Sequence, residues 1–280
     1  MSLSDTQEVV QVDTEDGTPA RGRLAESRVV IYGSRIALFV AFMALWQLAA
    51  VKGWVDPKTV GKPSEVWSSL LEYVKSDRAR ASWPSTGIAV LLSFVIGSAT
   101  GIIAGLVLGL NPLLDEIVGF FLTPINSVPR IALAPLFIAW FGLTMSAKVF
   151  LAVTIVFFIL AENARTAMRS VDPDLMVMAR IVGLRRVSLL WKVVLPSTVP
   201  SLFAGLRLAF TYSLLGVIAS EMIAATDGVG QDLVFFGSSF QINTVFAILL
   251  LLLCVGMIAT LIFSWTESRL LNWQTTQDRD

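Results

Sequence analysis

The stretch "RIVGLRRVSLLWKVVLP", Arg180 to Pro196, decides how this chain is read. It places Arg180, Arg185, Arg186 and Lys192 between two long apolar runs, with Gly183 near its start and Pro196 at its close. Just upstream, Asp172-Pro173 is a good helix start, because aspartate can accept free N–H groups and proline fits the first turn. Leu175, Met178, Ala179 and Val182 then recur at helical spacing, and Gly183 can take the left-handed conformation that ends a helix. A second helical piece is expected from about Ser188, with Pro196 and Pro200 marking the return into the next apolar run. Two uses fit such a segment. It could lie on anionic headgroups, or it could dock a cytoplasmic partner.

The flanks are those of an integral membrane protein. Of 280 residues, 55% are hydrophobic and 15% charged, and several apolar runs approach the roughly 20 residues that cross a bilayer. Spans are expected at 31–51, 84–110, 113–141, 147–168, 201–223 and 245–265, the third interrupted by Pro124, Pro129 and Pro135. About six transmembrane helices make an all-α fold. Residues 1–28 read as a disordered cytoplasmic tail. Residues 29–83 read as the first span plus an external amphipathic helix, with Val66, Trp67, Leu70, Leu71 and Val74 on its apolar face. Residues 84–268 form the transmembrane domain, including the 172–196 loop, and 269–280 a second cytoplasmic tail.

Lysine and arginine set the orientation. Arg165, Arg169, Arg180, Arg185, Arg186 and Lys192 flank the fourth-to-fifth connection, whereas 227–243 has neither residue type and belongs outside. Both termini are then cytoplasmic. The loop after the first span departs from the pattern, with Lys52, Lys58, Lys62, Lys75, Arg78 and Arg80.

Several chemistries are poorly served. There is no His, and the single Cys, Cys254, lies within an apolar run. That removes disulfides, Cys/His metal sites and His-based catalysis, so no metal, catalytic residue or cofactor is expected in this chain. The net charge is zero, so bulk electrostatics says nothing about partners; no nucleic-acid partner is expected. Gly97, Gly101, Gly105 and Gly109 recur every fourth residue and form one helix face that lets another backbone approach closely.

Gly183, nine residues, and then Val193-Val194-Leu195-Pro196 resembles the cytoplasmic-loop motif of ATP-binding-cassette (ABC) importer permeases: Glu-Ala-Ala, three residues, Gly, nine residues, Ile-x-Leu-Pro. "SVPRIALAPLFIAWFGL", Ser127 to Leu143, is similar to the nitrate/sulfonate/taurine-type group of that family. The resemblance covers roughly residues 63–273. It implies the type I importer transmembrane fold and the bacterial cytoplasmic (inner) membrane. The implied partners are a second permease subunit, a homodimer being favoured over a heterodimer, a solute-binding protein, and ABC ATPase subunits that carry ATP and Mg. This chain has no Gly-x-x-x-x-Gly-Lys-Ser/Thr phosphate loop of its own. The motif departs from the family where Val177-Met178-Ala179 replaces Glu-Ala-Ala. Contact with the ATPase through Val177, Met178, Ala179, Val182, Gly183, Leu184, Leu195 and Pro196 is therefore expected to rest more on Met178, Val182 and Leu184 than on a carboxylate.

Candidates for a translocation path are Asn126, Ser127, Arg130 and Glu221. A charge at the depth of Arg130 is expensive and usually faces a cavity or a partner. It is either a pore-lining cation that favours small anions or a cap on the carbonyls of a broken helix. Glu221 reads as an outer-gate group, a contact for the binding protein, or a solvated helix end. Glu162 and Arg165 can pair on one face, and Arg207 is expected to snorkel to the cytoplasmic boundary. An ion-gradient-driven secondary transporter is the alternative function, although no internal repeat of the kind common in such proteins is visible.

Overall fold

Proline, glycine and short capping side chains set the element boundaries. The computed structural model describes residues 28–171, 173–184 and 186–270. The tails expected at 1–28 and 269–280 therefore lie almost wholly outside the described residues, as do Asp172 and Arg185. Helix α1 spans Arg28–Val51 and forms, with the residues up to Val55, a unit of its own. The second unit begins at Asp56 with α2 (Pro57–Val60) and α3 (Pro63–Lys75). The two units part at 55/56, and α3 is tied into the second of them. Its buried residues are Val66, Leu70 and Tyr73, while Trp67, Leu71 and Val74 of the expected apolar face are exposed.

Helix α4 (Asp77–Leu110) starts on Ser76, whose hydroxyl accepts from the Ala79 N–H at 3.1 Å. Asn111 ends it and starts α5 (Pro112–Asn126) by accepting from the Leu113 and Leu114 N–H groups. Pro124 stays inside α5. The break falls at 127–129, since a residue before proline, here Val128, is pushed out of the helical region. A 3₁₀ turn, Arg130–Leu133, leads into α6 (Ala134–Phe141), bent 85° from α5.

Helix α7 (Met145–Arg169) is the centre of the bundle. Leu151, Ala152, Val156, Leu160 and Ala164 are completely buried. The glycine ladder of α4 packs directly on it. A Cβ at Gly97 would lie 2.7 Å from Val156 Cβ, one at Gly101 2.6 Å from the Phe157 carbonyl oxygen, and one at Gly109 2.5 Å from Met168 Cβ. Contacting positions rise together, so α4 and α7 run parallel. The chain from 112 to 141 must therefore return to the end where α4 began.

Beyond α7 come α8 (Pro173–Ile181), α9 (Arg186–Leu189), a π-helical turn (Leu190–Val194) and α10 (Leu195–Ala224). The fifth span starts earlier than 201, and Pro196 and Pro200 lie within the helix rather than before it. Proline costs little in a first turn, and a widened π turn accommodates the carbonyls it leaves unpaired. Helix α10 is antiparallel to α4, pairing Ser93 with Ser213 at 2.7 Å and Phe94 with Phe210. Such interhelical hydrogen bonds average about 0.6 kcal/mol in membranes, so close glycine packing contributes the larger share of cohesion. Helices α11 (Val229–Ser238) and α12 (Ile242–Leu270) complete the unit. Among the described residues, five helices are long and apolar enough to cross a bilayer, and the bent α5–α6 pair makes a sixth span if it is counted as one.

Candidate functional site

At the end of the bundle where α7 stops, polar side chains of three helices face a common space. Glu162, Asn163, Thr166 and Ser170 recur along one face of α7, Asn126 closes α5, and Ser201 lies in the second turn of α10. They line a cleft of about 500 Å³ together with Ile159, Ala167, Ala204 and Leu208. An open groove that carries several polar side chains on an otherwise apolar bundle is where water or a solute can be held.

Arg130 adjoins this cleft through Asn126. One guanidinium nitrogen donates to Asn126 Oδ1 at 2.5 Å, and the group lies 4.5 Å from the centre of the Phe158 ring. Ser127 is exposed at the end of α5, its N–H directed to the Pro124 carbonyl. Four basic residues lie between 84 and 169. Lys148 pairs with Glu221 and Asp227. Arg165 pairs with Asp115 and Glu162, and Arg169 with Asp115. Arg130 alone has no carboxylate partner among the described residues, so its charge is balanced only by dipoles and a ring face.

Glu221 sits elsewhere and is not a solvated helix end. Its side chain is fully buried at the far end of α10, accepting from Thr86 Oγ1 at 2.9 Å, Lys148 Nζ at 3.1 Å and the Gly230 N–H at 2.9 Å. So enclosed, it can touch neither the cleft nor a docked protein. It cross-links α4, α7, α10 and the start of α11. Lys148 also reaches Asp227 at 3.0 Å. Burial opposes ionisation of the Asp227 carboxyl, but the Ser85 hydroxyl and the Lys148 ammonium prevail and hold it below the usual carboxylate range. Nearby, Asp232 is fully buried and accepts from Tyr73 Oη at 2.7 Å and Arg78 at 3.1 Å. Burial and the Asp232 carboxylate both push the Tyr73 hydroxyl up.

Sequence reasoning passed over Lys148, although a charge three residues into a span, at Met145 plus three, was signal enough to seek a carboxylate partner. Arg207 does not simply snorkel, since it pairs with Glu267 of α12.

In the 172–196 segment, Gly183 has φ +75°. The Leu184 N–H reaches back to the Ala179 carbonyl at 3.1 Å, the bond that closes a left-handed glycine cap. Ala179 is buried, and Leu184, Leu195 and Pro196 are half-buried. Val177, Met178 and Val182 are exposed, Val182 at 77%, and Ile181 joins them at 79%. A short helix thus presents an uncovered apolar surface beside a glycine stop.

Helices long enough to cross a membrane, an open groove with polar side chains and an exposed apolar surface beside Gly183 are features that suit a transport subunit. Residues 97–272 match the family described as binding-protein-dependent transport system inner membrane component, and the chain belongs to that family. It is 30% identical over 234 residues to the Escherichia coli (strain K12) permease protein SsuC, named for aliphatic sulfonates transport, covering 84% of this chain and 89% of that one. It is 26% identical over 243 residues to the similarly named SsuC of Bacillus subtilis (strain 168), covering 87% and 88%. Among solved structures, a bacterial ABC transporter involved in the import of the acidic polysaccharide alginate superposes with a TM-score of 0.62 at 13% identity, over 90% of this chain and 99% of that one. The fold is that of type I ABC importer transmembrane subunits, and the protein is the permease subunit of an ABC importer. The gradient-driven alternative is set aside.

Proposed function

We propose that this permease forms the path for a small organic anion, a sulfonate or carboxylate. Arg130 carries the reading: it is the one cation from 84 to 169 without a carboxylate partner among the described residues, and it adjoins the cleft through Asn126. The naming of the SsuC relatives for aliphatic sulfonates supports the same class. A binding protein delivers the solute, and two copies of this chain enclose the path in the bacterial inner membrane. The test is uptake into proteoliposomes carrying the complete importer. A short alkanesulfonate should be taken up in preference to a neutral molecule of equal size, and equal uptake of the two would remove the anion assignment.

ATP hydrolysis belongs to separate subunits, which seat on the exposed Val177, Met178 and Val182. Gly183 has open space around its Cα, so Gly183→Val acts through the backbone alone, at more than ~1 kcal/mol for a β-branched residue in the left-handed region. Solute-stimulated ATP hydrolysis is expected to fall while membrane insertion persists. Unchanged hydrolysis would reassign the segment to the lipid surface.

The segment's Arg180, Arg185, Arg186 and Lys192 support a cytoplasmic position for it, and the absence of Lys and Arg from 227–243 supports α11 outside. With Cys254 replaced, Ser238→Cys is expected to react with impermeant maleimide added from the periplasmic side. Reaction only from the cytoplasmic side reverses the orientation.

A further inference from the structure

Helix α5 is the least anchored of the elements near the cleft. Gly119 is its only buried residue among those whose burial is described, with Asp115 and Leu122 half-buried. It hangs from α4 by the Asn111–Pro112 turn. Asp115 then ties it to α7. One carboxylate oxygen accepts from Arg165 Nε and the other from Arg169. Gly119 lies directly under the Arg165 guanidinium, where a side chain would collide.

These partners have unequal surroundings. Arg165 is buried on α7 and also holds Glu162 at 3.3 Å, a residue of the cleft wall. Arg169 is the last residue of α7, three residues before the 172–196 segment. A displacement of that segment therefore reaches Arg169 first and Asp115 next. With Asn111 as pivot, Asp115 is four residues out and Asn126 fifteen, about 6 Å and 22 Å along the axis, so a shift at Asp115 grows nearly fourfold at Asn126. Asn126 in turn holds Arg130.

We propose that Asp115 is a positioning residue that relays movement of the ATPase-contacting segment to α5, and through it to Asn126 and Arg130 at the cleft. The proposal rests on the assignment of 172–196 as the ATPase contact. Because the charge pair is shared between two arginines of one helix, either arginine can keep hold of Asp115 while the other shifts. That suits a joint that moves under load.

The test follows α5 itself and requires no knowledge of the solute. In the full complex with Cys254→Ser, spin labels at the exposed positions Phe120→Cys of α5 and Leu253→Cys of α12 report their separation before and after trapping with ATP and vanadate. A third label at Met178→Cys reports ATPase contact. The parent is expected to show a nucleotide-dependent change at Phe120, and Asp115→Asn to lose it while still assembling and hydrolysing ATP. Asp115→Glu should restore the change. A change that persists undiminished in Asp115→Asn overturns the relay. A parent in which Met178 is immobilised by the ATPase but Phe120 does not respond overturns the relay and leaves the docking assignment standing. A Met178 label untouched by ATPase assembly overturns both. If Asp115→Asn fails to assemble, Arg169→Gln, which leaves the Arg165 bridge in place, is expected to blunt the change at Phe120, and an undiminished response there overturns the relay.

Discussion

Arg130→Gln is expected to lower transport of an organic anion by about 10- to 100-fold, the equivalent of the roughly 1.5–3 kcal/mol that a hydrogen bond to a charged group contributes. The glutamine amide can still donate to Asn126, so the polar link at the break between α5 and α6 survives. What disappears is the charge and its seat on the Phe158 ring, an interaction of about 0.5–2 kcal/mol. The melting temperature of the assembled importer should therefore move little. Solute-stimulated ATP hydrolysis should fall with transport, and preference for an anion over a neutral isostere should collapse. The opposite pattern, normal anion uptake with a lowered melting temperature, would make Arg130 a structural cap and end its role in the path. The two quantities must come from one preparation, since a partly unfolded sample loses both.

Lys148→Met should have the larger effect on stability. It leaves the Glu221 carboxylate enclosed with Thr86 and the Gly230 N–H but without its countercharge. Removing one partner of a buried pair typically costs about 3–5 kcal/mol. Glu221→Gln added to Lys148→Met should recover part of the loss, because the uncompensated charge is gone, whereas independent contributions would simply add. Thermal melting of the single and double variants in the assembled complex measures this. Strict additivity would mean that the lysine and glutamate do not act as a pair.

Much of the architecture was legible because it is local. Apolar runs of bilayer length located the spans, and a four-residue glycine period could only be a helix face. Gly183 could be read as a helix stop, and it takes the left-handed conformation, φ +75°. The break at Pro129 could be read from the residue preceding it, but its 85° angle could not. The prolines at 196 and 200 misled, since proline marks a helix boundary only when no altered turn absorbs it. Pairings across the bundle were the real loss. Lys148 finds Glu221 73 residues away and Arg207 finds Glu267 60 residues away. Such encounters depend on helix rotation and tilt, which no periodicity encodes. Arg130 stood out as a charge within a span and Asn126 as a polar group beside it, and the four residues between them allow the hydrogen bond they make. The α7 wall of the cleft was seen only as the pair Glu162 and Arg165.

The distance between Lys148 and its partner has a consequence for how the protein is made. From Ile242 to Trp265, α12 carries no charge at all and can enter lipid on its own account. Helix α7 carries Lys148, Glu162, Arg165 and Arg169, and the carboxylate that neutralises Lys148 is synthesised 73 residues later. At about 5–20 residues per second this is a delay of about 4–15 s. During that interval α7 holds an unmatched ammonium near one end, so it must wait at the translocon or be sheltered by the glycine face of α4 until α10 emerges. Nascent chains arrested before and after Glu221 should therefore differ in how firmly α7 is retained in the bilayer.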